Sequence, residues 1–160
     1  MRRSTLRVLH ILGVDMVALP KTLALGLAVL SVLPGAAPLS DIDITVDHLR
    51  SSKGLLQLCL TANERSFPDC EDDPAARRMT ARARDGVARF SNLPAGQYAL
   101  AIVHDENGNN KLDTFAGIPK EGIGFSRNPS FSFGPPRFSQ VVFVAQGAGT
   151  SQRVKIKYYL

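Results

Sequence analysis

Residues 90–113 read FSNLPAGQYALAIVHDENGNNKLD, and the fold turns on how this run is interpreted. It begins with a turn at Leu93-Pro94-Ala95-Gly96, continues as an apolar strand from Gln97 to Val103 and ends in a polar loop. In the strand, Tyr98, Leu100 and Ile102 point to one face and Ala99, Ala101 and Val103 to the other. A strand apolar on both faces has to be covered on both sides, which makes it a central strand approached closely on its alanine face. The turn has a mechanical explanation. Pro94 presets φ, Gly96 permits the conformation that feeds the next strand, and Phe90 and Tyr98 bracket the bend.

Working outward, residues 41–47 alternate strictly, with Ile42, Ile44 and Val46 against Asp43, Thr45 and Asp47. Ser51-Ser52-Lys53-Gly54 is a turn and residues 55–60 form a second strand, so the first two strands are expected to pair as a hairpin. Residues 61–76 have no period and contain Pro68 and Pro74; they form a loop in which Phe67 packs inward. Residues 78–84 alternate again. Asp85-Gly86 then predicts a tight hairpin turn into a strand over 87–90. Residues 114–138 carry no strand or helix period and many glycines and prolines. Five phenylalanines (Phe115, Phe125, Phe131, Phe133 and Phe138) interrupt them, which predicts a long loop packed onto the body. Strands over 140–145 and 153–160, joined through Gly147-Ala148-Gly149, close the chain. About seven short strands and no convincing helix predict a single all-β domain over 41–160, an antiparallel β-sandwich.

The N-terminal 40 residues have a different character. Thr22 to Leu33 is an apolar run of twelve behind Arg2, Arg3, Arg7 and Lys21, followed by Gly35, Ala36 and Ala37. That order is the order of a secretory signal peptide, with cleavage near 36–40 and Met16 as an alternative start. The apolar run is short for a membrane span, so none is expected after cleavage. No cysteine follows it closely, so lipid anchoring is not expected either. Beyond residue 40 the chain has 15 basic and 13 acidic residues, a formal +2, although the whole chain carries +5. This removes compositional support for nucleic-acid binding. In an oxidising compartment Cys59 and Cys70, eleven positions apart, read as a disulfide worth ~2–3 kcal/mol by loop entropy.

The loop after the central strand carries the best candidate site. Asp105, Asn107 and Asn109 place oxygen-bearing side chains at every second position. A calcium loop of the EF-hand kind uses this spacing, because alternate side chains of a curled loop converge on one centre. Lys111 would offer its backbone carbonyl at the seventh position and Asp113 would stand at the ninth, with Leu112 as the apolar anchor between them. The sixth position is Asn110 instead of glycine, and asparagine tolerates the left-handed region. The twelfth is Ala116 instead of glutamate; Glu121 lies farther on. Two carboxylates predict calcium affinity in the ~10⁻⁴–10⁻³ M range. The competing reading is a loop closed by Asx-turns alone.

Two other chemistries have candidate residues. His104 with Asp105 or Glu106 would serve a hydrolase, but adjacent strand residues point to opposite faces and do not converge. Phe125, Phe131 and Phe133 would line a carbohydrate groove, whereas rings of this kind more often fill a core.

The blocks FSNLPAGQYALAIVHDENGNNKLD, GIPKEGIGFS and FGPPRF resemble an exported bacterial family, domain of unknown function 2141, over about residues 42–158. Its members often have glycine where this chain has Asn110. The turn pattern is more broadly similar to prealbumin-like and carboxypeptidase-regulatory-like sandwiches. Among prealbumin-like proteins, the hydroxyisourate hydrolases end in Tyr-Arg-Gly-Ser; this chain ends Lys157-Tyr158-Tyr159-Leu160, so that activity is not implied. The resemblance implies a sandwich fold and a periplasmic or secreted location, and it brings no activity. The expectation is therefore a non-catalytic exported module for an envelope or extracellular ligand, with Ca²⁺ as the one cofactor its loop suggests.

Overall fold

The strand at the centre of the quoted run is the middle of the larger of two sheets. The computed structural model describes residues 38–132 and 134–160. Its strands are β1 (Leu39–Asp47), β2 (Leu55–Thr61), β3 (Arg77–Arg82), β4 (Val87–Pro94), β5 (Gly96–Asp105), β6 (Thr114–Phe115), β7 (Ile118–Pro119), β8 (Gly122–Phe125), β9 (Phe143–Ala145) and β10 (Ala148–Lys155). The only α-helix among the described residues is a single turn, α1 (Phe138–Val141). The fold is all-β, as expected. One sheet runs β10-β1-β4 and the other β3-β2-β5-β8, with β9 also on β5 and a small β6–β7 hairpin apart. One edge of β5 is shared: β9 pairs with residues 96–98 and β8 with residues 101–104.

The alternations determine the core. Ile42, Ile44, Val46, Phe90, Leu93 and Val154 from the smaller sheet meet Leu56, Leu58, Leu60, Leu100 and Ile102 from the larger. The opposite, alanine face of β5 builds a second cluster: Ala99 and Ala101 pack with Cys59, Cys70, Phe125 and Val141 beneath Phe67, Phe131 and Phe138. β5 is thus buried on both faces, as its composition requires. The Cys59–Cys70 disulfide forms, with Cα atoms 5.7 Å apart, and ties β2 to the loop covering this second cluster.

Several pairings differ from expectation. β1 and β2 are not a hairpin; they lie in different sheets. Alternation fixes which face of a strand is buried and leaves its neighbour open. Asp85-Gly86 likewise does not close a two-residue hairpin. Residues 83–85 make a 3₁₀ turn with Gly86 at φ 62°, and β4 leaves for the other sheet. β1 and β10 are parallel, the exception to an otherwise antiparallel arrangement. The expected strand over 140–145 is one helical turn followed by β9, and β10 begins inside the expected turn at Ala148 and ends at Lys155. Beyond β10, Lys157 still pairs with Ile123, joining the chain end to β8.

The expected featureless loop 114–138 contains β6, β7 and β8. Residues 1–37, which include most of the expected leader, and Phe133 lie outside the described residues. Among the described residues no helix is long and apolar enough to cross a membrane.

Candidate functional site

The loop that follows β5 curls around its first carboxylate. Asp105 is fully buried, and its Oδ1 accepts the backbone N–H groups of Gly108 (2.7 Å) and Asn109 (3.1 Å). Its Oδ2 accepts the Asn110 N–H (2.8 Å), with the Gln57 amide at 3.5 Å. Two Asx-turns continue the curl: Asn107 Oδ1 accepts the Asn109 N–H, and Asn109 Oδ1 accepts the Lys111 N–H. Asn110 sits at φ 61°, the left-handed conformation that the sixth position of such a loop needs. From the neighbouring strand, Gln57 Nε2 donates to Asn110 Oδ1 at 2.7 Å, and Thr80 Oγ1 donates to Gln57 Oε1 at 2.8 Å.

Asp113 closes the turn. Its Oδ2 accepts the side-chain amides of Asn107 (2.7 Å) and Asn109 (2.9 Å). Four of the expected site residues, Asp105, Asn107, Asn109 and Asp113, are therefore brought together. Lys111 is exposed, as is Leu112. Among the described residues, no three His, Cys, Asp or Glu side chains gather closely enough to hold a metal alone. The donor set here mixes carboxylates with two amides.

Glu121 joins this group from beyond the β6–β7 hairpin. It is 4% exposed, and its Oε2 accepts the Asp113 N–H at 3.2 Å. Burial pushes its carboxyl above the usual range, and the nearby Asp105 and Asp113 carboxylates push the same way. The spacing rule that found the other residues could not find this one, because a hairpin intervenes. The single acidic residue in GIPKEGIGF was the available signal.

The trio His104, Asp105 and Glu106 diverges. His104 is fully buried on the core face. Its Nε2 lies 2.8 Å from the Lys53 carbonyl, which can only accept, so Nε2 carries the proton. Nδ1, 2.6 Å from the Tyr158 hydroxyl, then accepts from it. Glu106 turns outward to Arg50, accepting from Nε at 2.8 Å and from a terminal nitrogen at 2.5 Å, and also from Ser51 Oγ at 2.8 Å. The Arg50 guanidinium, first of all, holds the Glu106 carboxyl below the usual range. Arg50 also donates to the carbonyls of Lys120 and Leu160 and lies 4.4 Å above the Tyr158 ring. Arg50, Gln57 and Tyr158 are framework residues that no motif announced.

Of the expected aromatic groove, Phe125 is buried and stands edge-on to Phe131, with centroids 5.0 Å apart and planes at 81°. Two rings at right angles do not make a flat platform. Phe133 is outside the described residues. An open groove of about 380 Å³ runs along the outer face of the larger sheet beside the polar loop, with Gln57, Arg78, Thr80, Val103 and Lys111 among its walls.

The profile of a family described as an uncharacterized protein conserved in bacteria (DUF2141) matches residues 44–153. That span is most of the chain, and the chain belongs to this family. No curated protein and no solved structure matches it significantly.

Proposed function

We propose that this DUF2141 member is an exported, non-catalytic β-sandwich module whose 105–113 loop binds calcium, with Asp105, Asn107, Asn109 and Asp113 supplying side-chain oxygens and Lys111 its backbone carbonyl. The observation that carries this reading is the curl itself. Asp105, Asn107 and Asn109, spaced two apart, and Asp113 four residues on are drawn into one curl: backbone N–H groups close on Asp105, both asparagine amides donate to Asp113, and Asn110 takes the left-handed turn. Oxygen donors of this kind suit hard cations, and calcium accepts irregular oxygen geometry more readily than magnesium, which demands a near-ideal octahedron. Export is supported by the disulfide and by the leader-like residues 1–40. The non-catalytic reading is supported by the engagement of both His104 ring nitrogens inside the core.

Thermal melting in millimolar calcium and in chelator tests the proposal. A ligand at tenfold excess over Kd adds about 1.4 kcal/mol to the native state, so the midpoint is expected to rise with calcium. Identical midpoints across millimolar calcium would sink the calcium reading. Fractionation of cells expressing the full chain tests export; material confined to the cytoplasm would overturn it.

A further inference from the structure

Around this loop, Glu121 is the group whose surroundings do not balance. Among the described residues its Oε1 has no hydrogen-bond partner, although the atom is buried. Its Oε2 has one backbone N–H. None of the ion pairs formed among the described residues includes it. A buried carboxylate without a counter-charge is among the most costly groups a fold can carry.

The backbone explains why Glu121 arrives there. β8 pairs with β5 so that Ile102 faces Gly124, Val103 faces Ile123 and His104 faces Gly122. One more step of that register sets Glu121 against Asp105. From the other side, Asp113 and Glu121 flank the β6–β7 hairpin, whose base is closed by the Lys120 N–H on the Asp113 carbonyl at 2.9 Å. Ala116, at the position where an EF-hand loop would place its last glutamate, instead turns this hairpin with φ 50°. The chain makes a short detour and returns a glutamate to the same centre. There the positive ends of two amides, from Asn107 and Asn109, already point at Asp113. Their Oδ1 atoms close the two Asx-turns, so a half-turn of the last torsion toward a cation would exchange those two hydrogen bonds for contacts to the ion.

We infer that Glu121 is the closing ligand of a calcium site shared with Asp105, Asn107, Asn109 and Asp113, and that the ion clamps the β6–β7 hairpin to β5. The inference rests on the calcium reading of the loop proposed above. In the structure the Asp105, Asp113 and Glu121 carboxylates do not yet gather closely enough to hold a metal, so the ion would have to draw Asp113 and Glu121 in toward Asp105. The donor set would then be oxygen only, with nothing suited to softer metals. Clamping both ends of the hairpin would fix its tip, where Phe115 and Ile118 are exposed.

The test is calorimetric titration of CaCl₂ into the oxidised wild-type chain and into Glu121→Gln, Glu121→Asp and Glu106→Gln, with hydrogen exchange followed over residues 113–121. Circular dichroism checks that each variant is folded. Wild type is expected to bind calcium with Kd in the ~10⁻⁴–10⁻³ M range and magnesium more weakly. Glu121→Gln should weaken calcium binding about tenfold or more and abolish the calcium-dependent protection of the hairpin. Glu106→Gln should bind as wild type does. Should Glu121→Gln not fold, Glu121→Asp keeps the charge and shortens the reach, and a loss of affinity there supports the same assignment. Wild-type affinity in the folded Glu121 variants, together with loss of binding in Asp105→Asn, would overturn the role of Glu121 and leave the loop reading standing. Absence of both heat and protection in wild type at about 10 mM calcium, tenfold above the weak range, would overturn both.

Discussion

Glu106 and Glu121 stand on either side of the same loop, and their surroundings are opposite. Glu106 has a cation of the protein's own: Arg50 grips one oxygen, Ser51 the other, and the carboxyl is held below its usual range. Glu121 is buried among two more carboxylates with one N–H for company, and its carboxyl is pushed up. The arginine that completes the first pair even donates to the carbonyl of Lys120, next to Glu121, without forming an ion pair with it. A fold that settles one glutamate so fully and leaves its neighbour unsettled treats them as different parts. One is a clasp between loops, and the other is the group for which a cation from outside is proposed above.

The largest effect would break this comparison by removing the platform both residues share. Ile102 is 1% exposed at the core face of β5, three residues before Asp105. Ile102→Ala is expected to cost about 3 kcal/mol in urea unfolding, from lost burial plus the cavity left behind. Calcium affinity measured on the remaining folded protein should change little, because the loop's contacts are local. A smaller effect comes from Gly122→Ala. A Cβ there would come within 2.3 Å of Ile156 Cγ2 and 2.4 Å of Tyr158 Cε1, so the chain end would have to move off β8. Overpacking of this kind costs about 2 kcal/mol. Because Gly122 is adjacent to Glu121, this substitution should weaken calcium binding as well. A variant as stable as wild type would show that β8 and the chain end yield more easily than their packing suggests.

That glycine also shows what could be read from the chain and what could not. β5 was legible because burial on both faces demands apolar residues throughout, and the curl of the loop was legible because its oxygen-bearing side chains repeat every second position. The φ of 61° at Asn110 fits the tolerance that asparagine has for this conformation. β8 was hidden because Gly122 and Gly124 give up their side chains to Val154, Ile156 and Tyr158, which erases any alternation. Two glycines so close together look like turn punctuation when their partners are thirty residues away. Glu121 was hidden for the same reason: its place at the site follows from the β5–β8 register and not from its spacing along the loop. The sheet assignment of β1 and β2 was illegible on other grounds, since both alternate correctly and nothing local says which neighbour each will have.

In calcium-free buffer the two glutamates should respond to neutralisation with opposite signs. Glu121→Gln replaces a crowded buried carboxylate with an amide of nearly the same shape that can donate toward Asp105 and Asp113. It is expected to raise unfolding stability by about 1 kcal/mol, because it relieves like-charge repulsion without opening a cavity. In saturating calcium the sign should reverse, since the variant forgoes the ion's contribution. A loss of stability in both buffers would mean that Glu121 is simply a structural acceptor for the Asp113 N–H.

Glu106→Gln carries the smallest expected effect. The Arg50 side chain is 41% exposed and that of Glu106 23%, so solvent and salt screen the pair. The substitution keeps an acceptor for Ser51 and for Arg50 but removes the charge, which predicts a loss of about 0.5 kcal/mol, the same with and without calcium. That loss should shrink further in about 1 M salt, where the screening length falls to about 3 Å. Paired urea titrations of the two variants, in chelator and in calcium, therefore distinguish a clasp from a ligand. The clasp gives a small loss that depends on salt and ignores calcium. The ligand gives a change whose sign calcium inverts. If Glu106→Gln proved calcium-sensitive as well, the Arg50 clasp would belong to the ion site, and the contrast between the two glutamates would be one of degree.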